Sequence, residues 1–219
     1  MSTVSQKPTV RRGRPPRLSR EEIVAAVAEM LRNDPEAPLT MARAAEAVDA
    51  SAMSLYRYFA DRDDLVVELT RHVLSEADVG VAADAPWQDR LRTWMTAVYE
   101  QVVAHPQLFE GTAFSASPAW LPHSAHLAAI LAAGGFTDER QQAEAVYLVA
   151  TTTLGQAMVA AKLGREMALP QLYAGMSYLT PEEAESAAAL LPHFVAISKN
   201  GFAFVVDFTI TALAARAAR

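Results

Sequence analysis

Few residues in this sequence stand at spacings that could support catalysis or metal binding. His123 and His126 are three residues apart, so both would lie on one face of a helix and could share a metal ion. No carboxylate stands at a companion spacing, and the chain has no cysteine, which excludes thiolate nucleophiles and cysteine-bound zinc. The three glutamates after Pro181 suit the first turn of a helix better than a catalytic pair. We therefore predict no catalytic residue, no metal site and no cofactor.

Positive charge is concentrated at the N-terminus, although the whole chain has a formal net charge of −6. Residues 1–17 carry five basic side chains and no acidic one, and they are predicted to form a flexible arm. The run RRGRP at residues 11–15 resembles the minor-groove core of an AT-hook, because glycine and proline keep it thin and extended. Arg11, Arg12 and Arg14 are therefore predicted DNA contacts, and a solvated basic tail is the alternative.

Composition predicts an all-α protein that lies in the cytoplasm. The chain has 219 residues, of which 52% are hydrophobic, so it can bury a sizeable core. Glycine is scarce, alanine is abundant, and no long run of alternating β-branched residues occurs. Residues 145–161 carry no charge, but three threonines and a glutamine at their centre favour a buried helix over a membrane span. The N-terminus has no apolar stretch typical of a secretory signal.

Capping residues divide residues 18–72 into four short helices. Ser19, with Glu22 three residues later, matches a capping box, and Thr40, Ser51 and Asp61 each precede a new apolar period. The second and third of these helices are separated only by a break at residues 49–50. Two short helices joined by a tight turn are typical of a helix-turn-helix motif.

The third of these helices is predicted to have one buried and one exposed face. Leu55 and Phe59 lie one turn apart and are expected to face the core. Met53 and Arg57, two residues away from them, must then face solvent. An exposed methionine at the start of a helix favours a binding surface.

The stretches LTMARAAEAV at 39–48 and SLYRYFADRDDL at 54–65 resemble the DNA-binding domain of the TetR family of repressors. The resemblance covers residues 18–72 and implies a three-helix helix-turn-helix domain whose third helix enters the major groove. It implies base contacts from the first residues of that helix, and phosphate contacts from hydroxyl groups and helix ends. The contact residues are Thr40, Ala52, Met53, Ser54, Tyr56, Arg57, Tyr58 and Arg62.

Two positions depart from the family pattern. Asp49 stands where the family usually has glycine in the turn, and we expect the turn to persist because aspartate tolerates the left-handed conformation. Ala42 stands where some members have a base-contacting arginine. Sequence specificity is therefore expected to rest on thymine methyl groups, Ser54 and Arg57.

Residues 73–219 are predicted to form a ligand-binding and dimerisation domain of longer helices. We expect a loop from Glu166 to Thr180 and a short helix after Pro106, with the other helices at 87–104, 119–133, 138–163, 182–198 and 201–217. The motifs WQD at 87–89, GF at 135–136, TLG at 153–155 and NGF at 200–202 resemble the tetracycline-repressor type of C-terminal domain. That resemblance implies a central pocket and a homodimer. The apolar character of residues 143–163 and 201–217 also favours a partner helix pair.

The pocket is expected to take a small, mostly apolar effector. Thr151 and Asp78 stand where the resemblance would call for the pocket histidines of the tetracycline sensor, which argues against a metal chelate. The candidate ligand-binding residues are Trp94, Tyr99, Phe109, Phe114, Trp120, His126, Tyr147, Thr151 and Met158, and ordinary core packing is their alternative role.

The predicted function is a ligand-responsive, DNA-binding transcriptional regulator. We expect a repressor that binds a near-palindromic operator as a homodimer and is released by its effector. The alternative is a helical small-molecule-binding protein, or an enzyme, without a regulatory role on DNA.

Overall fold

The computed structural model describes residues 18–35, 37–77, 79–80, 84–109, 117–163, 173–198 and 200–218. Every regular element in these residues is a helix, and no strand occurs among them. The predicted all-α class is confirmed. The predicted basic arm, Asp78 and Phe114 lie outside the described residues.

The N-terminal part contains four helices, as the capping residues predict. These are α1 (Arg20–Asn33), α2 (Met41–Glu46), α3 (Ala52–Leu55) and α4 (Arg62–Ser75). The side chains of Ser19, Thr40, Ser51 and Asp61 each accept a hydrogen bond from a backbone amide in the first turn of the helix that they precede. Ser19 and Glu22 form the complete capping box, since the Ser19 amide also donates to the Glu22 carboxylate at 2.7 Å.

The turn between α2 and α3 depends on Asp49. Its φ of 49° makes it the one non-glycine residue with positive φ in the described part of the chain. The amide of the next residue, Ala50, donates to the Ala45 carbonyl at 2.9 Å and closes the end of α2. Aspartate therefore adopts the left-handed conformation here, as we expect for this substitution of the family glycine.

After α4, the described residues contain six α-helices of four or more residues, and the bounds of these helices agree with the predicted ones to within a few residues. They are α5 (Trp87–Ala104), α6 (Pro106–Phe109), α7 (Leu121–Ala133), α8 (Glu139–Leu163), α9 (Pro181–Ser198) and α10 (Gly201–Ala217), with one turn of 3-10 helix at Pro118–Trp120.

The prediction of a loop from Glu166 to Thr180 is wrong for residues 173–178. Residues 173–175 are helical, and Met176–Tyr178 form one turn of 3-10 helix. The Leu179 amide donates to the Met176 carbonyl at 3.1 Å, and the Ser177 hydroxyl donates to the Ala174 carbonyl at 2.9 Å. A single helical turn needs only such local bonds and no apolar period, so periodicity could not reveal it.

One apolar core extends through the N-terminal helices and the longer helices that follow. Helix α5 lies at its centre, where Leu91, Trp94 and Met95 are fully buried, and it packs chiefly against α8. Helix α4 contacts α1 on one side and α5, α6 and the 3-10 turn on the other. The two parts are thus joined through α4.

A second connection runs from α6 to α1. The side-chain amide of Gln107 donates to the Leu31 carbonyl, in the last turn of α1, at 3.2 Å. His105, just before α6, is fully buried beside it.

Among the described residues, no single helix has the length and apolarity to span a membrane. Within the same residues, α9 and α10 reach that length and apolarity only when they are taken together, and the two helices are bent by 92° relative to each other.

Candidate nucleic-acid interface

The third helix ends at Leu55, sooner than the sequence predicts, but α3 and the turn after it still present the two predicted faces, because the Phe59 amide donates to the Leu55 carbonyl at 3.0 Å. Leu55 and Phe59 are buried in the core, whereas Met53 is 77% exposed and Arg57 is also exposed. The Arg57 guanidinium lies 6.0 Å from the centre of the Tyr58 ring, so part of its surface is covered by an aromatic face. The result is an apolar side chain on the outer face of α3 and a cation in the turn that follows it.

The small residues around Met53 are less accessible. Ala52 is half-buried and packs against the core, while Ser54 is half-buried at the helix start. The hydroxyl oxygens of Ser51 and Ser54 are 2.9 Å apart, so each can hydrogen-bond the other. The exposed Ser51, which the sequence indicates only as a cap, therefore belongs to the same surface as Ser54.

The predicted phosphate contacts Thr40 and Arg62 stand at the start of α2 and α4. Thr40 is exposed and accepts from the Arg43 amide at 3.2 Å. The Nε atom of Arg62 donates to the Leu39 carbonyl at 3.0 Å, which brings the two helix starts together. Hydroxyl, guanidinium and helix N-terminal amides are the donors that proteins offer to phosphate.

The two tyrosines that follow α3 differ in exposure. Tyr56 is half exposed, with its side chain directed away from the core, and Tyr58 is half-buried against it. Five of the predicted DNA contacts are thus exposed to solvent in the described residues: Thr40, Met53, Tyr56, Arg57 and Arg62.

Arg20 is a residue of this domain that sequence analysis does not identify. Its guanidinium donates to the Tyr58 carbonyl at 2.5 Å and to the Asp64 carboxylate at 2.7 Å. The Ala60 amide and then Arg20 hold the pKa of Asp64 below its ordinary value. No local pattern links Arg20 to partners 38 and 44 residues away.

Several predicted ligand-binding residues meet inside the second domain. Trp94, Phe109 and Trp120 are buried, and the rings of Phe109 and Trp120 lie 5.7 Å apart at a tilt of 58°. The indole nitrogen of Trp94 is buried without a hydrogen-bond partner among the described residues. Met158 is half-buried against the same core.

The remaining candidates lie elsewhere. Tyr99 stacks on Phe202 with ring centres 3.9 Å apart, and the Thr151 hydroxyl donates to the Tyr147 carbonyl of its own helix at 2.7 Å. Tyr147 and His126 are exposed. A surface cleft of about 480 Å³ lies on the outer side of α5 and includes none of the candidates; its lining residues are Glu76, Ala77, Arg92, Thr93, Thr96, Ala97, Glu100 and Gln101.

Two histidines of the second domain have a pKa below the ordinary value. Burial is the main cause for both His105 and His123, and the charge of His126 lowers the pKa of His123 further. The described residues contain no group of three or more histidines and carboxylates close enough to hold a metal ion.

Helices α8, α9 and α10 carry an exposed apolar surface in the single chain. The Phe204 and Phe208 rings on α10 are part of this surface and lie 6.2 Å apart. Its exposed members are Tyr147, Leu148, Val159, Leu190, Phe194, Ile197, Phe204 and Phe208.

Comparison with known sequences gives one partial match. No family model matches the chain. An HTH-type transcriptional regulator from Saccharopolyspora erythraea is 30% identical over 123 residues, which is 55% of this chain and 52% of that protein. The match therefore spans about half the length of the curated relative.

Solved structures match over nearly the whole fold. A possible TetR family transcriptional regulator from Streptomyces coelicolor A3(2) is 27% identical with a TM-score of 0.71, covering 92% of this chain and 100% of the other. The Streptomyces coelicolor TetR family protein ActR in complex with actinorhodin is 20% identical with a TM-score of 0.74, covering 93% and 100%. BioQ with its double-stranded DNA operator is 20% identical with a TM-score of 0.64, covering 91% and 99%.

The resemblance that residues 39–48 and 54–65 carry is thus confirmed in three dimensions. The chain has the fold of the TetR family of transcriptional regulators, with an N-terminal helix-turn-helix followed by a helical C-terminal domain.

Proposed function

We propose that this chain is a transcriptional regulator that binds operator DNA through the exposed face of α3. The observation that carries the proposal is the division of α3 and the turn after it, in which Leu55 and Phe59 are buried while Met53 and Arg57 face solvent. An exposed methionine next to an exposed arginine can contact thymine methyl groups and base edges or phosphates. The relatedness of the fold to BioQ, which was solved with its operator, supports the same assignment.

In the proposed binding mode, the residues of α3 and its turn contact bases, and the residues at the starts of α2 and α4 contact phosphates. Met53 contacts thymine methyl groups in the major groove, and Arg57 contacts a base edge or the adjacent phosphate. Thr40 and Arg62, at the starts of α2 and α4, bind phosphates and fix the register of the protein on the duplex. The basic arm, with Arg11, Arg12 and Arg14, adds minor-groove contacts.

The regulator acts as a homodimer through α8, α9 and α10. Phe208 is 67% exposed in the single chain, and Phe204, Phe194 and Leu148 also lie open on these helices. A partner copy that covers this surface removes the apolar area from water. Two-fold symmetry then places the two α3 helices about 34–36 Å apart, which matches a near-palindromic operator.

A small, mostly apolar effector in the second domain releases the protein from DNA. The buried indole N–H of Trp94 supports a ligand with one hydrogen-bond acceptor in an otherwise apolar environment, because an unpaired buried donor is costly. The buried rings of Phe109 and Trp120, 5.7 Å apart, would supply aromatic walls for such a ligand. ActR, of the same fold, was solved with actinorhodin, which is in line with an organic effector.

Helix α4 carries the effector's influence to the DNA-binding helices. It packs against α1 at one side and against α5 and α6 at the other, so its position depends on both parts. An effector changes operator occupancy tenfold when it favours the released arrangement by about 1.4 kcal/mol. We propose repression as the mode of action, in the cytoplasm and without enzymatic activity.

Selection of bound duplexes from a random DNA library tests the proposal directly. We expect a near-palindromic consensus with two half-sites one helical turn apart, bound by the dimer. Candidate apolar compounds are then titrated against the complex, with and without a chelator, beside Thr151→Val and Trp120→Ala. Failure to enrich any sequence would contradict the DNA-binding role, and release that is lost with chelator would contradict a metal-free effector.

A further inference from the structure

We infer that Arg20 is a positioning residue for the recognition helix, and that its guanidinium fixes the exit of α3 against the first turn of α4. The inference rests on the proposed DNA-binding function, because it concerns how α3 is presented to the duplex. Arg20 is the first residue of α1, so the contact joins three helices of the domain.

The guanidinium makes contacts in three directions. Its Nη1 atom donates to the Tyr58 carbonyl at 2.5 Å, and its Nη2 atom donates to the Asp64 carboxylate at 2.7 Å. Nη2 also lies 3.4 Å from the Glu68 carboxylate. The plane of the group lies over the Phe59 ring, with the carbon 4.6 Å from the ring centre.

Asp64 extends the link back to the end of the motif. One of its oxygens accepts from Arg20, while the other accepts from the Ala60 amide at 2.9 Å. The segment of Tyr58, Phe59 and Ala60 is therefore held through a carbonyl, a ring and an amide. All three contacts depend on the pair formed by Arg20 and Asp64.

Helix α3 needs such an external support because it is a single turn. Only residues 52–55 are helical, and residues 56–58 continue as a turn. One turn gains few hydrogen bonds for the backbone freedom that it loses, so it does not hold its own direction. Leu55 and Phe59 anchor its inner face by burial, and the Arg20 contact to Tyr58 restrains rotation about that anchor.

The local charges favour this internal role over a phosphate contact for Arg20. Its two terminal nitrogen atoms are engaged by Tyr58, Asp64 and Glu68. The two carboxylates of Asp64 and Glu68 balance the two positive charges of Arg20 and Arg71. The Arg20 guanidinium is therefore already neutralised within the protein. Lysine cannot reproduce the arrangement, because a single ammonium group lacks the planar fork and the flat stacking surface.

The test compares Arg20→Met and Arg20→Lys with the control Arg71→Met. Methionine keeps an apolar stem above Phe59 but removes both donors, and lysine keeps the charge without the fork. Arg71→Met removes one positive charge from the same domain and one partner of Glu68, but among the described residues Arg71 pairs only within its own helix and not with α3. Affinities are measured for the selected operator and for random DNA, and amide hydrogen exchange is measured without DNA.

We expect Arg20→Met to lower operator affinity by at least about tenfold relative to random DNA, as for the loss of one base contact. Arg20→Lys should recover only part of that ratio, and Arg71→Met should leave it unchanged. The Tyr58 and Phe59 amides should exchange faster in Arg20→Met, and should exchange at the wild-type rate in Arg71→Met.

Equal specificity ratios for Arg20→Met and Arg71→Met, or unchanged exchange at Tyr58 and Phe59, would overturn the inference. If Arg20→Met does not fold, the same two measurements on Arg20→Lys decide the matter. A different outcome would contradict the proposed function instead: the wild-type protein selects no operator, but amide exchange at Tyr58 and Phe59 still responds to Arg20→Met. The contact of Arg20 would then be structural, and its role in DNA recognition would be overturned.

Discussion

The Nε atom of Arg62 donates a 3.0 Å hydrogen bond to the carbonyl oxygen of Leu39, joining the start of α4 to the residue before the α2 cap. The Nη1 atom of the same guanidinium lies 3.5 Å from the Asp63 carboxylate, and the Arg62 side chain is half exposed. Two helix N-termini and one cation therefore meet at the predicted phosphate-binding surface.

We expect Arg62→Ala to weaken binding to operator and to random DNA alike. Each lost phosphate contact reduces the slope of log affinity against log salt by about 0.9, so a dimer should lose about two units. Fluorescence anisotropy between low and moderate salt measures this slope. Arg140→Ala, which removes an exposed arginine from α8, is the control, and an unchanged slope for Arg62→Ala would argue against a phosphate contact.

Met53→Ala should change specificity without changing the salt slope. The side chain is exposed, so its loss should alter the free energy of unfolding by less than about 0.5 kcal/mol. Loss of contact with a thymine methyl group should reduce operator affinity by about 1–3 kcal/mol, the usual cost of one mismatched base pair, while random DNA is bound as before. Leu55→Ala is the contrasting variant, because deleting this buried side chain should cost about 2–5 kcal/mol of stability. Equal losses of operator and random-DNA affinity in Met53→Ala would contradict direct base contact.

Asp49 should tolerate glycine but not a β-branched residue. At φ 49°, Asp49→Gly should leave the free energy of unfolding within about 0.5 kcal/mol, since relief of strain offsets the added chain entropy. Asp49→Val should lower it by about 1–2 kcal/mol. Urea denaturation measures both, with Glu46→Val in the preceding helix as the control for valine itself. A fully stable Asp49→Val protein would show that the turn does not require the left-handed conformation.

The free energy of unfolding should already decrease at pH values higher than those at which the carboxylates titrate. Burial holds the pKa of His105 below its ordinary value, so the unfolded chain takes up a proton before the folded one as pH decreases. The free energy of unfolding should therefore decrease as pH falls from about 6.5, the unfolded value, toward the lower folded pKa, by at most about 1.4 kcal/mol per pH unit per histidine. His105→Gln should flatten this part of the curve in urea denaturation at pH 7.5, 6.5 and 5.5. An equally steep curve in His105→Gln would assign the effect to other groups.

Phe208→Glu should convert the dimer to monomers and weaken operator binding. A charge placed in a covered apolar surface costs more than the contact it replaces. Leu121→Glu is a matched control, because Leu121 on α7 is 68% exposed and Phe208 on α10 is 67% exposed. Sedimentation velocity at micromolar concentration should give a monomer for Phe208→Glu and a dimer for Leu121→Glu. A dimeric Phe208→Glu protein would exclude this part of α10 from the interface.

Features that depend on neighbouring residues are predictable here from spacing alone. The caps at Ser19, Thr40, Ser51 and Asp61 involve atoms within three residues of each other, and all four form as expected. The inward direction of Leu55 and Phe59 follows from the helical period, because side chains four residues apart share one face.

Other features depend on how whole elements lie against each other, and the sequence does not determine them by any local pattern. Arg20 meets Tyr58 and Asp64, and Gln107 meets Leu31 from 76 residues away, because packing of the apolar faces brings distant backbone groups within hydrogen-bond distance. The candidate ligand-binding residues illustrate the same limit. Helical spacing marks Trp94 and Tyr147 equally, but the tertiary structure buries the first at the centre of α5 and leaves the second exposed on α8. The sequence by itself thus determined the approximate bounds of most helices and the four caps of the N-terminal part, since these follow from the geometry of a few adjacent residues. Only the tertiary structure decided which distant side chains meet, since that depends on the packing of complete helices.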